Sequence, residues 1–200
     1  GKAGYAYSER ALAGCHQFMM APEPNRDYLV VGDPGQGEPP NRNAGVVIVL
    51  DITGFPQHPV TMRMFHWVYG GGSYMPFLSS FKTTMNLYRP VGAAFDATGA
   101  QKAMDELAFS DVGEGILVEG MNLAGRKQAY HNAIKLIMQR GLLRYPYIRG
   151  LRRQLAQYAF PDTKLSQDIV SALQIAGGWM RRRIFSGEMD EMREAHWKIP

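Results

Sequence analysis

The sequence is poor in the residues on which several chemistries depend. Its 200 residues include a single cysteine, Cys15, which excludes an internal disulfide and a Cys-based zinc site and fits a reducing compartment. The five histidines are scattered, and no Ser-His-Asp or Cys-His spacing supports acyl transfer. No apolar run approaches the ~20 residues that span a bilayer, and the N-terminus has no signal-peptide core. The chain therefore reads as soluble and intracellular, with no membrane contact. A G-x-x-x-x-G-K-S/T loop, which would cradle nucleotide phosphates, is also missing. "GQGEPP" offers two glycines but no Lys-Ser/Thr.

What is present suits one globular domain. Apolar residues make up 46% of the chain, enough for a single buried core. The 12 methionines read as core filler. The net charge is only +4, but its distribution is uneven. Arg140, Arg144, Arg149, Arg152 and Arg153 crowd one region, and Arg181, Arg182 and Arg183 form a second cluster where acidic residues are sparse. Such clusters suit a polyanion, whose counterions they displace, or equally form a solvated helix face.

The pattern along the chain is mixed α/β. "DYLVVGD" (Asp27 to Asp33), "AGVVIVLDITG" (Ala44 to Gly54) and "HPVTMRMFHWVYGGG" read as three strands in an antiparallel meander. A helix is expected in "SYMPFLSSFKTTMNLYRP", ending at Pro90. A strand over "VGAAFDATG", a helix over "AQKAMDELA" and a strand over "GILVEGM" follow. Next comes an amphipathic helix with Asn122 as N-cap and Gly141 just past its end. "LLRYP" is a brief extended piece, and two helices complete the pattern, the last with Ser166 near its N-cap. Residues 1–26 are expected to be an N-terminal linker or extension, 27–185 the domain and 186–200 a C-terminal tail.

Three aspartates stand out. Asp33 and Asp96 each end an apolar strand and begin a Gly-containing loop, and Asp168 opens a helix. Each alone has an ordinary reading as a turn former, a cap or a partner of the helix dipole. Together they would converge on one sheet edge, where carboxylates repel one another unless a cation is present. Oxygen donors without Cys or clustered His favour Mg2+ or Mn2+ over zinc. Two such ions can activate water and stabilise the leaving oxygen of a phosphodiester.

Four stretches carry a resemblance. "YLVVGDPGQGEPPNRNAGVVIVLDITG", "VGAAFDATGAQKAMDELA", "RKQAYHNAIKLIMQRGLLRYP" and "LSQDIVSALQIAG" occur in the order found in the C-terminal nuclease domain of the large terminase subunit of tailed bacteriophages. The sequence resembles that family over about residues 27 to 180. The resemblance implies an RNase H-like fold: a mixed central sheet, with an antiparallel three-strand meander plus parallel strands, flanked by helices. It implies a two-metal endonuclease that cuts concatemeric double-stranded DNA, with Asp33 bridging two Mg2+ or Mn2+ ions, Asp96 binding one and Asp168 completing the site. The implied partners are double-stranded DNA, a terminase ATPase domain, the small terminase subunit and the portal protein, in the host cytoplasm during viral assembly. The missing phosphate loop then marks a nuclease domain separate from its ATPase.

Many relatives carry two adjacent acids in the last motif, whereas Gln167 precedes Asp168 here; this leaves the ligand count of one metal open. Lys127 matches a basic position of the family's long helix and would approach a phosphate, or is a solvated lysine. Arg149, Arg152 and Arg153 precede the Asp168 helix and would track the DNA backbone without reading sequence. His66 and His131 read as structural or surface residues. Trp67, Tyr69 and Tyr74 read as edge-strand and core aromatics rather than base-stacking platforms. Two other readings stand beside the terminase one: a Holliday-junction resolvase-like nuclease, and a non-catalytic RNase H-like module that binds DNA or a partner.

Overall fold

The structure is a computed structural model that describes residues 18–35, 45–69, 74–98, 116, 118–158 and 168–186. The expected helix over "AQKAMDELA", the cap at Ser166, the glycines that end "HPVTMRMFHWVYGGG", Cys15 and residues 187–200 of the expected C-terminal tail lie outside them; Ser186 closes α4. Its strands are β1 (Phe18–Met19), β2 (Tyr28–Asp33), β3 (Gly45–Asp51), β4 (Val60–Val68), β5 (Gly92–Asp96), β6 (Val118–Met121) and β7 (Leu143–Arg144). The described helices are α1 (Met75–Tyr88), α2 (Lys127–Gln139), α3 (Arg149–Gln157) and α4 (Asp168–Ser186).

These strands form one mixed sheet in the order β1-β4-β3-β2-β5-β6, with β7 also on β4. The meander is present: β2 pairs β3 and β3 pairs β4, both antiparallel. On its other side β2 pairs β5 in parallel, and β5 pairs β6 in parallel. The central strands β2, β3 and β5 are buried along their whole length, which explains their near-continuous apolar sequence.

Alternation along the strands sorts side chains onto two faces. Leu29, Val31, Ile48 and Ala94 face a core shared with α2, α3 and α4, whereas Val30, Val47, Ala93 and Phe95 face α1. In β4 the register shifts opposite Val49 and Leu50, which pair with Met64 and Met62. Arg63 is the extra residue of this bulge. The shift turns Met62 and Met64 to opposite faces. The buried Arg63 donates to Glu23 and to the Ala21 carbonyl, which ties down the segment between β1 and β2.

Helix α4 is the central helix of its layer. Every residue from Ile169 to Met180 is buried, because the sheet covers one side while α2 and α3 pack on the others. Two close approaches make this possible. A Cβ on Gly92 would sit 2.2 Å from the Trp179 ring, and one on Gly177 would sit 2.9 Å from the Ile134 backbone nitrogen.

Two features differ from the sequence expectation. β1 is a strand of only two residues, too short to show alternation, and it pairs Phe18 with Phe65. Asn122 does not cap α2, which begins five residues later at Lys127 with Arg126 in the cap position. The Asn122 side chain instead accepts the Gly125 N–H and meets Thr98 Oγ1 at 3.4 Å. The Asx-type turn wins over helix here, as Asn favours. Gly141, past the end of α2, has φ of +67°, the left-handed conformation glycine supplies at helix ends.

Candidate active site

The geometry of the aspartates follows from strand pairing. Parallel β2 and β5 are in register through Gly32 opposite Phe95, so Asp33 and Asp96 come next, on adjacent chains about 4.8 Å apart. Asp33 shares the face of Leu29 and Val31, and Asp96 that of Ala94. Both carboxylates are thus carried on the α4 side, at the C-terminal edge of the sheet. Both are buried, with exposures of 3% and 2%.

Each aspartate is oriented by backbone. Asp33 Oδ1 accepts the Gly35 N–H at 2.8 Å, and Asp96 Oδ1 accepts the Thr98 N–H at 3.0 Å. These are Asx turns, formed where a strand ends and the chain bends. Asp96 Oδ1 also takes the Leu123 N–H at 3.4 Å, so the chain leaving β6 is bound to the same carboxylate. Thr98 Oγ1 accepts the N–H groups of Leu123 and Ala124. That loop leads directly into α2, whose first residue is Lys127.

Asp168 opens α4, and the direction of α4 brings it to the same edge. Trp179 lies on Gly92 at the start of β5. From Trp179 back to Asp168 α4 rises about 16 Å, and from Gly92 to Asp96 β5 rises about 13 Å. At the other end of the helix, a Cβ on Gly150 would lie within 4 Å of both Ile169 and Trp67, and Trp67 pairs with Val46, itself the partner of Asp33, so α4 runs antiparallel to β5. The first turn of α4 is therefore level with the ends of β2 and β5.

α3 reaches this corner as well. The buried Gln154 accepts the Ile169 and Val170 N–H groups through Oε1, at 3.1 and 3.4 Å. Arg152 and Arg153, its neighbours, are exposed, and Arg149 is the first residue of α3. Gln154 carries no short-range signal, because its partners are 15 and 16 residues away. Thr98 stands in "DATG", where its N–H, two residues after an aspartate, carries the local signal of an Asx turn; the N–H groups that its hydroxyl accepts are 25 and 26 residues away and carry none. Among the described side chains no group of three or more His, Cys, Asp or Glu is positioned to hold a metal.

His66 and His131 serve elsewhere. His66 lies on the α1 face with Nδ1 2.9 Å from Ser80 Oγ, and burial pushes its pKa down. His131 on α2 packs against the Tyr158 ring, with centroids 4.8 Å apart. Trp67 packs edge-on against Phe65 in the core.

No family model matches the sequence, and no curated protein matches it. Solved structures do. The large terminase nuclease from thermophilic phage G20c, solved with bound zinc and with bound magnesium, matches with a TM-score of 0.64 at 17% identity. The match covers 82% of this chain and 87% of that one. A Thermus phage large terminase nuclease domain matches with a TM-score of 0.61 at 17% identity, over 80% of this chain and 84% of that one. The chain has the RNase H-like fold of these domains, which the resemblance of its sequence had implied.

Proposed function

We propose that this chain is a metal-dependent endonuclease domain of the terminase type, with Asp33, Asp96 and Asp168 as its metal-binding carboxylates. The observation that carries the reading is the pair of buried aspartates at adjacent parallel strand ends, on the face against which α4 begins. Two carboxylates this close and this buried repel each other, and a bound cation removes that cost. Their hard oxygen donors fit Mg2+ or Mn2+. Two such ions, when bound, would supply an activated water and stabilise the leaving oxygen of a phosphodiester.

The protein's own contribution is placement. Asp33 would bridge the ions, Asp96 would hold one, and Asp168 would approach from α4. The Gly35, Thr98 and Leu123 N–H groups fix one oxygen of each strand aspartate, which leaves fewer rotamers to freeze on binding. The positive end of the α4 dipole adds favourable potential for carboxylates and phosphates alike. Lys127, Arg149, Arg152 and Arg153 would track the duplex backbone and confer no sequence preference. The zinc and magnesium in the two G20c nuclease structures accord with a divalent-cation site on this fold.

By the same reading the substrate is concatemeric double-stranded DNA in the host cytoplasm. The partners are a terminase ATPase domain, the small terminase subunit and the portal protein. The test is plasmid cleavage with Mg2+ or Mn2+. Asp33→Ala and Asp168→Ala are each expected to abolish cleavage while the circular dichroism spectrum stays that of the folded chain. Undiminished cleavage by both variants would refute the assignment. Preferential cutting of branched over linear DNA would favour a resolvase-like enzyme, and binding of DNA without cleavage a non-catalytic module.

A further inference from the structure

We propose that Gln154 is a positioning residue for the metal site: it caps α4 from a neighbouring helix and so leaves the Asp168 carboxylate to a cation. The inference rests on the reading of Asp168 as a ligand.

The first N–H groups of a helix have no partner within it. They are usually satisfied by a Ser, Thr, Asp or Asn just before the helix, or by an acid in its first turn. Here the first helical residue described is Asp168, which Gln167 precedes in the sequence. An aspartate in that place is the natural candidate to turn back onto its own helix. Gln154 removes the need. Its amide oxygen takes the Ile169 and Val170 N–H groups at 3.1 and 3.4 Å, and its side chain is buried with them.

Three further features fit this role. Gln154 comes from another element, so the cap also fixes where α4 begins relative to α3. α3 lies against that point, since a Cβ on Gly150 would be in ordinary van der Waals contact with Ile169 Cδ1 at 3.6 Å and with the Trp67 ring at 3.4 Å. Finally, glutamine satisfies the helix without charge. A carboxylate would cap as well, but it would add a negative group at the first turn of α4, which Asp168 opens.

The test measures Mn2+ binding to the full chain by isothermal titration calorimetry, alongside thermal melting. Gln154→Met keeps length and volume but has no acceptor, so Mn2+ affinity should fall about 10- to 100-fold, as is common when an outer partner of a metal ligand is lost. Gln154→Glu keeps the acceptor and should bind Mn2+ at least as tightly as the wild type. Asp168→Asn serves as the reference. If Asp168→Asn weakens Mn2+ binding while Gln154→Met lowers only the melting temperature, Gln154 is merely structural and the inference is overturned. If Asp168→Asn leaves Mn2+ affinity unchanged, the ligand assignment itself fails. Should Gln154→Met not fold, Gln154→Asn withdraws the amide oxygen by one methylene; the same weakening is expected of it, and unchanged affinity overturns the proposal.

Discussion

Asp33 and Asp96 are among the most buried charged residues described, and they sit side by side. A lone charge so placed is costly unless hydrogen-bonded and paired, and backbone N–H groups supply hydrogen bonds to both. Asp96→Asn keeps the acceptor for Thr98 and Leu123 but removes the repulsion. The metal-free variant is therefore expected to melt at or above the wild-type temperature. Mn2+ at 100 times its Kd should stabilise the wild type by about 2.7 kcal/mol and the variant far less; scanning calorimetry with and without Mn2+ checks both. His66 gives a separate prediction. Burial holds its pKa below the ordinary value of 6.5, so the unfolded chain binds more protons than the native one just below that pH. Stability should fall as pH drops through about 6.5 towards the folded-state pKa, and urea denaturation of His66→Gln should show a shallower loss. Asp33 and Asp96 were legible because each closes an apolar strand within a few residues of sequence. Gln154 was not, because its partners lie on another helix.

The elements owe their positions to close backbone approach. Gly92 admits the Trp179 ring, and Gly178 admits the Tyr130 ring, 2.5 Å from where a Cβ would be. Gly92→Ala must displace a fully buried indole, and Gly177→Ala meets the Ile134 main chain. Each is expected to cost about 1–3 kcal/mol, as overpacking does. Gly125→Ala, with nothing within 4 Å of the added carbon, is the neutral control, and guanidinium denaturation compares the three. At the far end of α4, Arg182 and Arg183 both bond Glu119 on β6, with Arg183 4.9 Å from the Trp179 ring centre. These contacts hold the helix on the sheet along its length. The apolar strands β2, β3 and β5 could be read from sequence because burial on both faces leaves a continuous signal. β1 could not, since two residues carry no period. The start of α2 was misplaced because Asn122 favours a helix cap and an Asx turn alike, and only the contact with Thr98 across the strand ends decides between them.

At the scale of the molecule, one sheet order explains the site. Placing β5 beside β2 brings two strand-end acids together, and laying α4 antiparallel to β5 sends its N-terminus to the same edge. The mixed sheet was legible from the spacing of its strands, whereas the β2–β5 pairing is a long-range fact that the fold supplies. The exposed Arg152 and Arg153 stand on the helix that caps α4. If both contact phosphate, Arg152→Ala/Arg153→Ala should weaken duplex binding and flatten its salt dependence by about 1.8 in log–log slope, roughly 0.9 per phosphate. Fluorescence anisotropy across a salt series measures this, and an unchanged slope would place the DNA elsewhere. The central claim is that cations join the three aspartates, and anomalous diffraction from crystals soaked in Mn2+ tests it most directly. The account predicts Mn2+ density bounded by the Asp33, Asp96 and Asp168 carboxylates. Mn2+ bound only elsewhere, in protein that cleaves DNA under the same conditions, would contradict it.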